Sequence, residues 1–361
     1  MNPKYFIGWD IGGAHVKAAI VDQSGHVMRV FQQPCPLWKG LGQLRDAVTS
    51  ICQELPLDQC CHAMTMTGEL VDLFDNRSDG VKQIIATVQD LLAQTELLIF
   101  AGNDDLLMAN QITHQHYSAI ASSNWLASAA YVAQIIGNGV FVDIGSTTTD
   151  ILLFKDLKVR AQGYTDYQRL ISGELVYTGI IRTAIMAVAQ TAIDDDQEIG
   201  LMAEYFATMA DVYRLTGELN EAHDQTDTAD GAEKTVLASA RRLSRMIGCD
   251  FETDELPRWR KFAEHIRGQQ INKIEQAITR IENNTFAGRY PLVGAGVGRF
   301  LVKPIAANLG CAYLDFADLT TLLDAGSGLN SADCAPAVAV AYLAKERFSD
   351  GWRMTIQRFK N

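Results

Sequence analysis

Two short segments of the sequence place an aspartate at the end of an apolar strand and follow it with small residues. The first contains Asp10, in "IGWDIGGAHVKAAIVD", and the second contains Asp143, in "GVFVDIGSTTTDILLF". A carboxylate in this position is a hard oxygen ligand that lies beside backbone N–H groups able to hold phosphate oxygens. The two segments therefore predict a polyphosphate site with Mg²⁺, and Asp10 and Asp143 are its predicted metal ligands and catalytic residues.

The residues after each aspartate suit contact with phosphate. The glycines let the main chain approach a ligand closely, and the serine and threonines add hydroxyl donors. The histidine and lysine of the first segment can contact the phosphate or offset its charge, although a loop histidine explains His15 equally well and a solvated strand lysine is the alternative for Lys17. The predicted phosphate-binding residues are Gly12, Gly13, His15, Lys17, Gly145, Ser146, Thr147 and Thr148.

The two segments share the pattern of apolar strand, Asp-Ile-Gly, polar loop and apolar strand, which indicates an internal repeat. We expect two similar lobes whose turns face one another across a cleft. Apolar periodicity predicts further elements along the chain. These elements include helices at 118–135, 257–267, 270–284 and 333–347, and a strand, glycine-rich turn and helix within 290–310.

These elements predict an α/β fold in three consecutive regions. Residues 1–115 form the first lobe, and residues 116–330 form the second lobe with a helical excursion around 190–285. Residues 331–361 supply a C-terminal helix that packs back on the lobes.

Composition excludes several classes of function. The net charge of −12 argues against binding to nucleic acid or to an anionic membrane surface. The seven cysteines are scattered without a CxxC pair, which argues against a zinc site or a disulfide framework. No apolar segment is long enough to span a bilayer, and the first strand begins without a signal region, so we expect a cytoplasmic protein. The sequence does not indicate an oligomeric state.

A third glycine cluster, "GAGVGR", contains Gly294, Gly296 and Gly298 between a predicted strand and a predicted helix. Its spacing differs from the G-x-G-x-x-G of dinucleotide-binding folds, and it comes late in the chain. We therefore reject a nicotinamide-dependent enzyme.

The three motifs, in this order, resemble the two phosphate motifs and the adenosine motif of the sugar kinase/actin/heat-shock ATPase superfamily. The resemblance implies a two-lobed actin-like (ribonuclease H-like) fold, in which each lobe has a mixed five-stranded sheet flanked by helices. It also implies that Gly294 and Gly296 contribute to ligand binding. Whether a nucleotide still binds stays open.

Four intervening segments resemble more narrowly the hydantoinase/oxoprolinase-related branch and, within it, the methanofuran-biosynthesis synthases associated with tetrahydromethanopterin-linked one-carbon metabolism. They lie at 66–84, 101–111, 121–129 and 171–183. That family joins a furfuryl-amine diphosphate to the phenol oxygen of γ-glutamyltyramine and releases diphosphate. The resemblance implies a transferase of methanofuran or methylofuran biosynthesis whose substrates are a small-molecule diphosphate and a phenolic amine.

A phenol must lose its proton in such a reaction, so a general base is expected. The candidates within the matching segments are Glu69, Asp72, Asp104 and Glu174. The same segments give the predicted substrate-binding residues Asn103, Asn124, Trp125 and Glu174, with Gly294 and Gly296 from the third motif.

Two other functions stay open at this point. Asn103 and Asp104 end a strand near the place where a sugar kinase carries its base, which favours an ATP-dependent small-molecule kinase as the alternative. A non-enzymatic actin-like scaffold is the third hypothesis.

Overall fold

The computed structural model describes residues 3–55, 59–93, 95–281, 290–326 and 328–348. Apolar segments of the sequence form its strands. The strands within these residues are β1 (Tyr5–Ile11), β2 (His15–Asp22), β3 (His26–Pro34), β4 (Cys60–Met66), β5 (Glu96–Phe100), β6 (Leu106–Met108), β7 (Gly139–Ile144), β8 (Thr149–Lys155), β9 (Lys158–Val159), β10 (Leu175–Val176), β11 (Thr191–Asp194), β12 (Gln197–Gly200), β13 (Leu292–Ala295), β14 (Tyr313–Asp315) and β15 (Thr321–Leu322).

The α-helices of the same residues vary from one turn to seven turns in length. They are α1 (Leu41–Cys52), α2 (Arg77–Leu91), α3 (Tyr117–Ile120), α4 (Asn124–Ile136), α5 (Asp166–Ser172), α6 (Ile185–Val188), α7 (Met209–Thr216), α8 (Val236–Arg245), α9 (Leu256–Ile281), α10 (Val302–Leu309) and α11 (Ala335–Phe348). Within the described ranges, no helix combines the length and the apolar character that crossing a bilayer requires.

Contacts divide the chain into two compact units. Unit 1 contains Met1–Gly139, Phe154–Asp166 and Asp315–Asn361, and unit 2 contains Val140–Leu153 and Tyr167–Leu314. Each unit has its own sheet and its own apolar core.

The sheet of unit 1 has the order β15-β3-β2-β1-β4-β5-β6. The central strand β1 is antiparallel to β2 and parallel to β4, and the two outermost strands are short. One face, which includes Ile7, Trp9 and Ile11, forms the apolar core with α1 and α2. The opposite face carries Gly8, where a Cβ atom would lie 1.8 Å from the carbonyl oxygen of Ala337, so α11 packs directly on the strand.

The sheet of unit 2 has the order β10-β8-β7-β13-β14, with β9 beside β8. Its central strand β7 is joined to its neighbour β8 by a tight turn and is parallel to β13. Within the described residues the first sheet therefore has seven strands and the second has six, rather than the five expected of each, and both are organised around a strand that ends in Asp-Ile. The predicted α/β fold with mixed sheets is confirmed.

The helical excursion of unit 2 differs from the prediction in one element. We expected separate helices at 257–267 and 270–284, but α9 is a single helix, Leu256–Ile281. Gly268 lies inside it, because its buried apolar residues continue on one face and outweigh the roughly 1 kcal/mol by which glycine weakens a helix. The end of the predicted second helix, and residues 349–361 of the predicted C-terminal region, lie outside the described residues.

Candidate active site

The turn that joins β1 to β2 directs its carbonyl groups toward the protein. The Gly12 N–H donates to the carbonyl of His15 (2.9 Å) and closes the turn. The carbonyls of Gly13 and Ala14 accept hydrogen bonds from the N–H groups of residues 37 and 35 at 3.0 and 2.8 Å. Within the described residues, the N–H groups of Gly13 and Ala14 donate to no protein acceptor. Successive N–H groups of this kind form a cradle suited to phosphate oxygens.

Asp10 lies at the edge of this turn and is 8% exposed. The side-chain amide of Asn124 lies 3.4 Å from its Oδ1 atom. The Oδ1 of Asn124 accepts from the N–H of Trp125 (2.7 Å), so the NH₂ group is the end that faces Asp10. Thr65 pairs with Asp10 across β1 and β4, and within the described residues its buried hydroxyl has no hydrogen-bond partner.

The carboxylate of Asp10 and the hydroxyl of Thr65 beside it fit Mg²⁺, which binds oxygen through one or two carboxylates and retains waters. In the part of the chain that the structure describes, no cluster of three or more His, Cys, Asp or Glu side chains could form a metal cage. The residues present therefore suit a metal that arrives with a phosphate ligand, with Asp10 as its carboxylate.

Glu69 is the most deeply buried acid beside the first turn, with 1% exposure. Its Oε1 accepts a hydrogen bond from the Ser122 hydroxyl (2.6 Å), while Oε2 has no hydrogen-bond partner within the described residues. Burial raises the pKa of the Glu69 carboxyl above its ordinary value, and the bond from Ser122 opposes that rise. A buried carboxylate that has a raised pKa and one oxygen without a hydrogen-bond partner is suited to accept a proton.

The chain around Glu69 packs closely on the turn and on a helix. A Cβ atom at Gly68 would lie 3.1 Å from the carbonyl oxygen of Ile11, so the segment before Glu69 contacts the end of β1. A Cβ atom at Gly80 would lie 2.5 Å from the carbonyl oxygen of Glu69, so α2 packs against its backbone. These close approaches fix the backbone of Glu69 between the end of β1 and α2.

The predicted helix 118–135 is interrupted at the place that contacts the site. It forms as α3 and α4, with a break at 121–123 in which Ser122 has a left-handed φ of 50°. The break lets Ser122 donate to Glu69 while Asn124, two residues later, faces Asp10. Strained backbone of this kind is typical of functional sites.

Other predicted residues of unit 1 take different positions. His15 is buried at the start of β2, and the Lys17 ammonium donates to the carbonyl of Asp333 (2.6 Å). Asn103 and Asp104 are exposed on the 3₁₀-helix Gly102–Asp104 after β5. The structure therefore brings Asn124 and Glu69, but neither Asn103 nor Asp104, into hydrogen bonds around the first turn.

The turn that joins β7 to β8 is supported in the same manner by a different segment. The Gly145 N–H donates to the carbonyl of Thr148 (2.8 Å), and the carbonyls of Gly145 and Ser146 accept from N–H groups of residues 180–182. Within the described residues, the N–H groups of Ser146 and Thr147 donate to no protein acceptor. Gly179 permits this packing, because a Cβ atom there would lie 2.4 Å from the Thr147 nitrogen.

The third glycine cluster packs behind Asp143. Gly296 has a φ of +79°, and a Cβ atom there would lie 2.2 Å from Oδ1 of Asp143. The Gly298 N–H donates to the carbonyl of Ile144 (2.8 Å), and Gly294 is buried against Tyr313. All three glycines therefore make close contacts inside unit 2. The prediction that the turns after Asp10 and Asp143 face one another stays a prediction.

The remaining candidate bases differ in burial. Asp72 is exposed, whereas Glu174 is fully buried and its Oε2 accepts from the Ser172 hydroxyl (2.9 Å). The buried Arg169 pairs with Asp150 (2.7 Å) and donates to the carbonyl of Glu174 (3.1 Å). Of the four candidate bases, Glu69 alone combines burial with a carboxylate oxygen that has no partner in the described chain, and burial raises its pKa.

A family model described as hydantoinase/oxoprolinase matches residues 61–337, which is most of the sequence. The chain belongs to the hydantoinase/oxoprolinase family. The match includes Glu69, the break at 121–123, the second turn and the third glycine cluster, and the first turn precedes it.

Two archaeal relatives of this hydantoinase/oxoprolinase family protein share one name, (4-{4-[2-(γ-L-glutamylamino)ethyl]phenoxymethyl}furan-2-yl)methanamine synthase. The protein from Methanocaldococcus jannaschii is 31% identical over 301 residues, which cover 82% of this chain and 87% of the relative. The protein from Methanococcus vannielii is 34% identical over 123 residues, which cover 34% of this chain and 55% of the relative.

Among solved structures, the nucleotide-free structure of acetone carboxylase is similar to this family member in fold. The TM-score is 0.56 at 11% identity, over 93% of this chain and 70% of that one. At this identity the similarity concerns the fold alone.

Two side chains of this hydantoinase/oxoprolinase family member, next to Glu69 and Asn124, are not predicted as site residues from the sequence. Ser122 was placed inside a helix, although the stretch Ser-Ser-Asn before an apolar segment is a helix-start signal that could have located the break. Tyr164, whose ring packs on Trp125, carries no local signal in the sequence.

Proposed function

We propose that this chain is a synthase of methanofuran or methylofuran biosynthesis that forms an aryl ether and releases diphosphate. The substrates are a furfuryl-amine diphosphate and the phenol of γ-glutamyltyramine or a related tyramine. The relative from Methanocaldococcus jannaschii supports this proposal, because its name describes a product with a phenoxymethyl bond to a furan.

The observation that carries the proposal is the buried Oε2 atom of Glu69, which has no hydrogen-bond partner within the described residues, near a turn whose N–H groups donate to no protein acceptor there. A diphosphate needs hydrogen-bond donors for its oxygens, and a phenol needs a base for its proton. Gly13 and Ala14 offer the donors, and Glu69 offers the base, within one unit of the chain.

The reaction balances with these groups. The bond between the furfuryl carbon and the diphosphate oxygen breaks, and its electron pair leaves with the diphosphate. The phenol oxygen forms the new bond to that carbon, and its proton passes to the Glu69 carboxylate. The furan ring stabilises the positive charge that develops at the carbon, so the residues mainly position the reactants and stabilise the leaving group.

Mg²⁺ would neutralise charge on the leaving diphosphate when bound. Asp10 is the carboxylate of unit 1 that we propose to hold it, and Asn124 orients that carboxylate through its amide group. Asp143 is the corresponding carboxylate of unit 2 and is proposed as a ligand on the basis of the repeat.

A diphosphate-release assay in nucleotide-free buffer tests the proposal. Purified protein is supplied with Mg²⁺, the furfuryl-amine diphosphate and γ-glutamyltyramine, and both the diphosphate and the ether product are measured. We expect stoichiometric release of both. Turnover that occurs only with ATP, together with ADP and a phosphorylated product, would contradict the synthase and support the kinase alternative.

Glu69→Gln tests the assigned base with Asp72→Asn as its matched control. The amide keeps the shape of the side chain but accepts no proton, so we expect kcat to fall by about 100-fold or more. Asp72 is exposed, so Asp72→Asn should retain activity near that of the wild type. The acid limb of the wild-type pH profile should lie above the ordinary pKa of glutamate, because burial raises the pKa of Glu69. Equal activity of the two variants would remove Glu69 from this role.

A further inference from the structure

An aromatic pair lies at the start of α4, next to the residues that contact Asp10 and Glu69. The rings of Trp125 and Tyr164 have centroids 6.3 Å apart and planes tilted by 45°. Trp125 is 3% exposed, whereas Tyr164 is 49% exposed. Tyr164 therefore lies over the buried indole and presents a substantial part of its own side chain to solvent.

One short stretch of chain connects this pair to the proposed base. Ser122 donates to Glu69, Asn124 faces Asp10, and Trp125 packs against Tyr164. The Cα atoms of Ser122 and Trp125 are at most about 10 Å apart, because three residues of fully extended chain span no more. The Tyr164 ring and the Glu69 carboxyl thus contact opposite ends of the same four residues.

An ion pair holds the segment that carries Tyr164. Arg77, at the start of α2, donates to Asp166 at 2.5 Å, two residues after Tyr164. Arg77 lowers the pKa of Glu69 and Asp166 raises it, so both charges lie within electrostatic range of that carboxyl. The pair is partly buried, which limits its screening by salt.

We propose that Tyr164 is a specificity-determining residue whose exposed ring stacks on the aromatic ring of the acceptor. This inference rests on the proposed function and deepens it: the acceptor is a phenol with its hydroxyl at Glu69 and its ring against Tyr164. Offset or edge-to-face contact between aromatic rings stabilises such a complex. Trp125 supports Tyr164 from below and does not itself contact the acceptor. An aliphatic alcohol lacks the ring and is a poor acceptor.

Tyr164→Leu tests the proposal, with Tyr205→Leu as the matched control, since Tyr205 is exposed to the same extent (51%) in unit 2. We expect Tyr164→Leu to raise KM for γ-glutamyltyramine by about tenfold and to leave KM for the diphosphate unchanged. Tyr164→Phe keeps the ring and should retain the wild-type KM. A merely structural role of Tyr164 would instead lower the melting temperature and change both KM values together.

Direct binding separates this inference from the proposed reaction. The affinity of γ-glutamyltyramine for the intact protein, measured by calorimetry in the presence of Mg²⁺ and inorganic diphosphate, needs no turnover. A loss of about tenfold in Tyr164→Leu but not in Tyr205→Leu supports the stacking role, even if the release assay fails. Equal affinity of the wild type and both variants, or no measurable binding by the wild type, overturns it.

Discussion

The turns after Asp10 and Asp143 have the same backbone design but different side chains and different supports. Each is closed by a hydrogen bond from its first glycine N–H to the carbonyl three residues later, at 2.9 and 2.8 Å. The first turn is supported by residues 35–37, which follow β3, and the second by residues 179–183. Unrelated neighbouring segments thus maintain the same backbone conformation in the two turns.

The chemistry at equivalent positions has diverged. Lys17 of the first hairpin corresponds to Asp150 of the second, which pairs with the buried Arg169. The strand parallel to the Asp-Ile strand carries Thr65 beside Asp10 in unit 1 but Ala295 beside Asp143 in unit 2. Polar groups able to serve a ligand or a reaction are thus concentrated around the first turn, while the second turn offers hydroxyls and N–H groups.

The largest expected effect comes from removing each turn's carboxylate charge. Asp10→Asn and Asp143→Asn keep the side-chain shape but lose the charge that stabilises Mg²⁺, so each should lower kcat by about 100-fold or more. Melting temperatures should change little, because neither substitution alters packing. Activity is measured by diphosphate release and stability by thermal unfolding.

A variant that carries both Asp10→Asn and Asp143→Asn, compared with the two single variants, tests whether both aspartates serve the metal. Full activity of the chain carrying both substitutions would contradict the metal assignment. A large loss in Asp10→Asn with none in Asp143→Asn would restrict the metal site to the first turn.

A smaller effect is expected from glycines that pack on the two turns. Gly296→Ala forces a Cβ atom to within 2.2 Å of Asp143 Oδ1 at a φ of +79°, which should cost about 3 kcal/mol of unfolding free energy. In Gly13→Ala the new atom would meet only the Cγ1 of Val71 at 2.8 Å, and that methyl group can move. We expect a cost under about 1 kcal/mol there.

Thermal unfolding of the two glycine variants measures this difference. For a chain of this length, Gly296→Ala should lower the melting temperature by roughly 4 °C and Gly13→Ala by about 1 °C at most. Equal shifts would show that the two turns tolerate side chains alike.

The last expected effect concerns acid stability. His62 pairs with Ile7 across β4 and β1, at the position that Leu292 occupies in unit 2. Its Nδ1 accepts a hydrogen bond from the Trp9 indole (3.0 Å), and burial lowers the pKa of His62 from 6.5 to about 4. Between these values the unfolded chain binds a proton that the folded chain does not, so stability falls as pH falls below 6.5.

At pH 5 the loss from this residue is about 2 kcal/mol relative to pH 7, at 1.36 kcal/mol per pH unit. His62→Asn retains an acceptor for Trp9 and should remove this part of the pH dependence. His114→Asn, at an exposed site, should leave it intact. Denaturant unfolding at both pH values measures the effect, and an unchanged slope in His62→Asn would count against it.

Local patterns were sufficient to predict the parts of the fold that depend on local sequence. Apolar strands on both sides of a short polar turn specify a hairpin, so both Asp-Ile-Gly units and the glycine-rich segment after β13 were located correctly. The break at 121–123 was missed, because the apolar residues on both sides continue a helical spacing.

The choice among the four candidate bases could not be made from sequence. Glu69, Asp72, Asp104 and Glu174 are all acids within matching segments, and they differ in burial and in hydrogen-bond partners that come from distant parts of the chain. Ser122 lies 53 residues from Glu69, and Asp166 lies 89 residues from Arg77. Such pairings depend on tertiary packing, which no local pattern encodes.

The packing of α11 on Gly8 has a consequence for synthesis on the ribosome. Unit 1 begins with the first strands of the chain, yet one face of its central strand is covered by a helix that contains Ala337. Translation completes the segments of unit 2 first, and this face of β1 stays uncovered until α11 has been synthesised. We therefore expect unit 2 to acquire protease resistance before unit 1 in arrested nascent chains, although unit 1 holds the N-terminal strands.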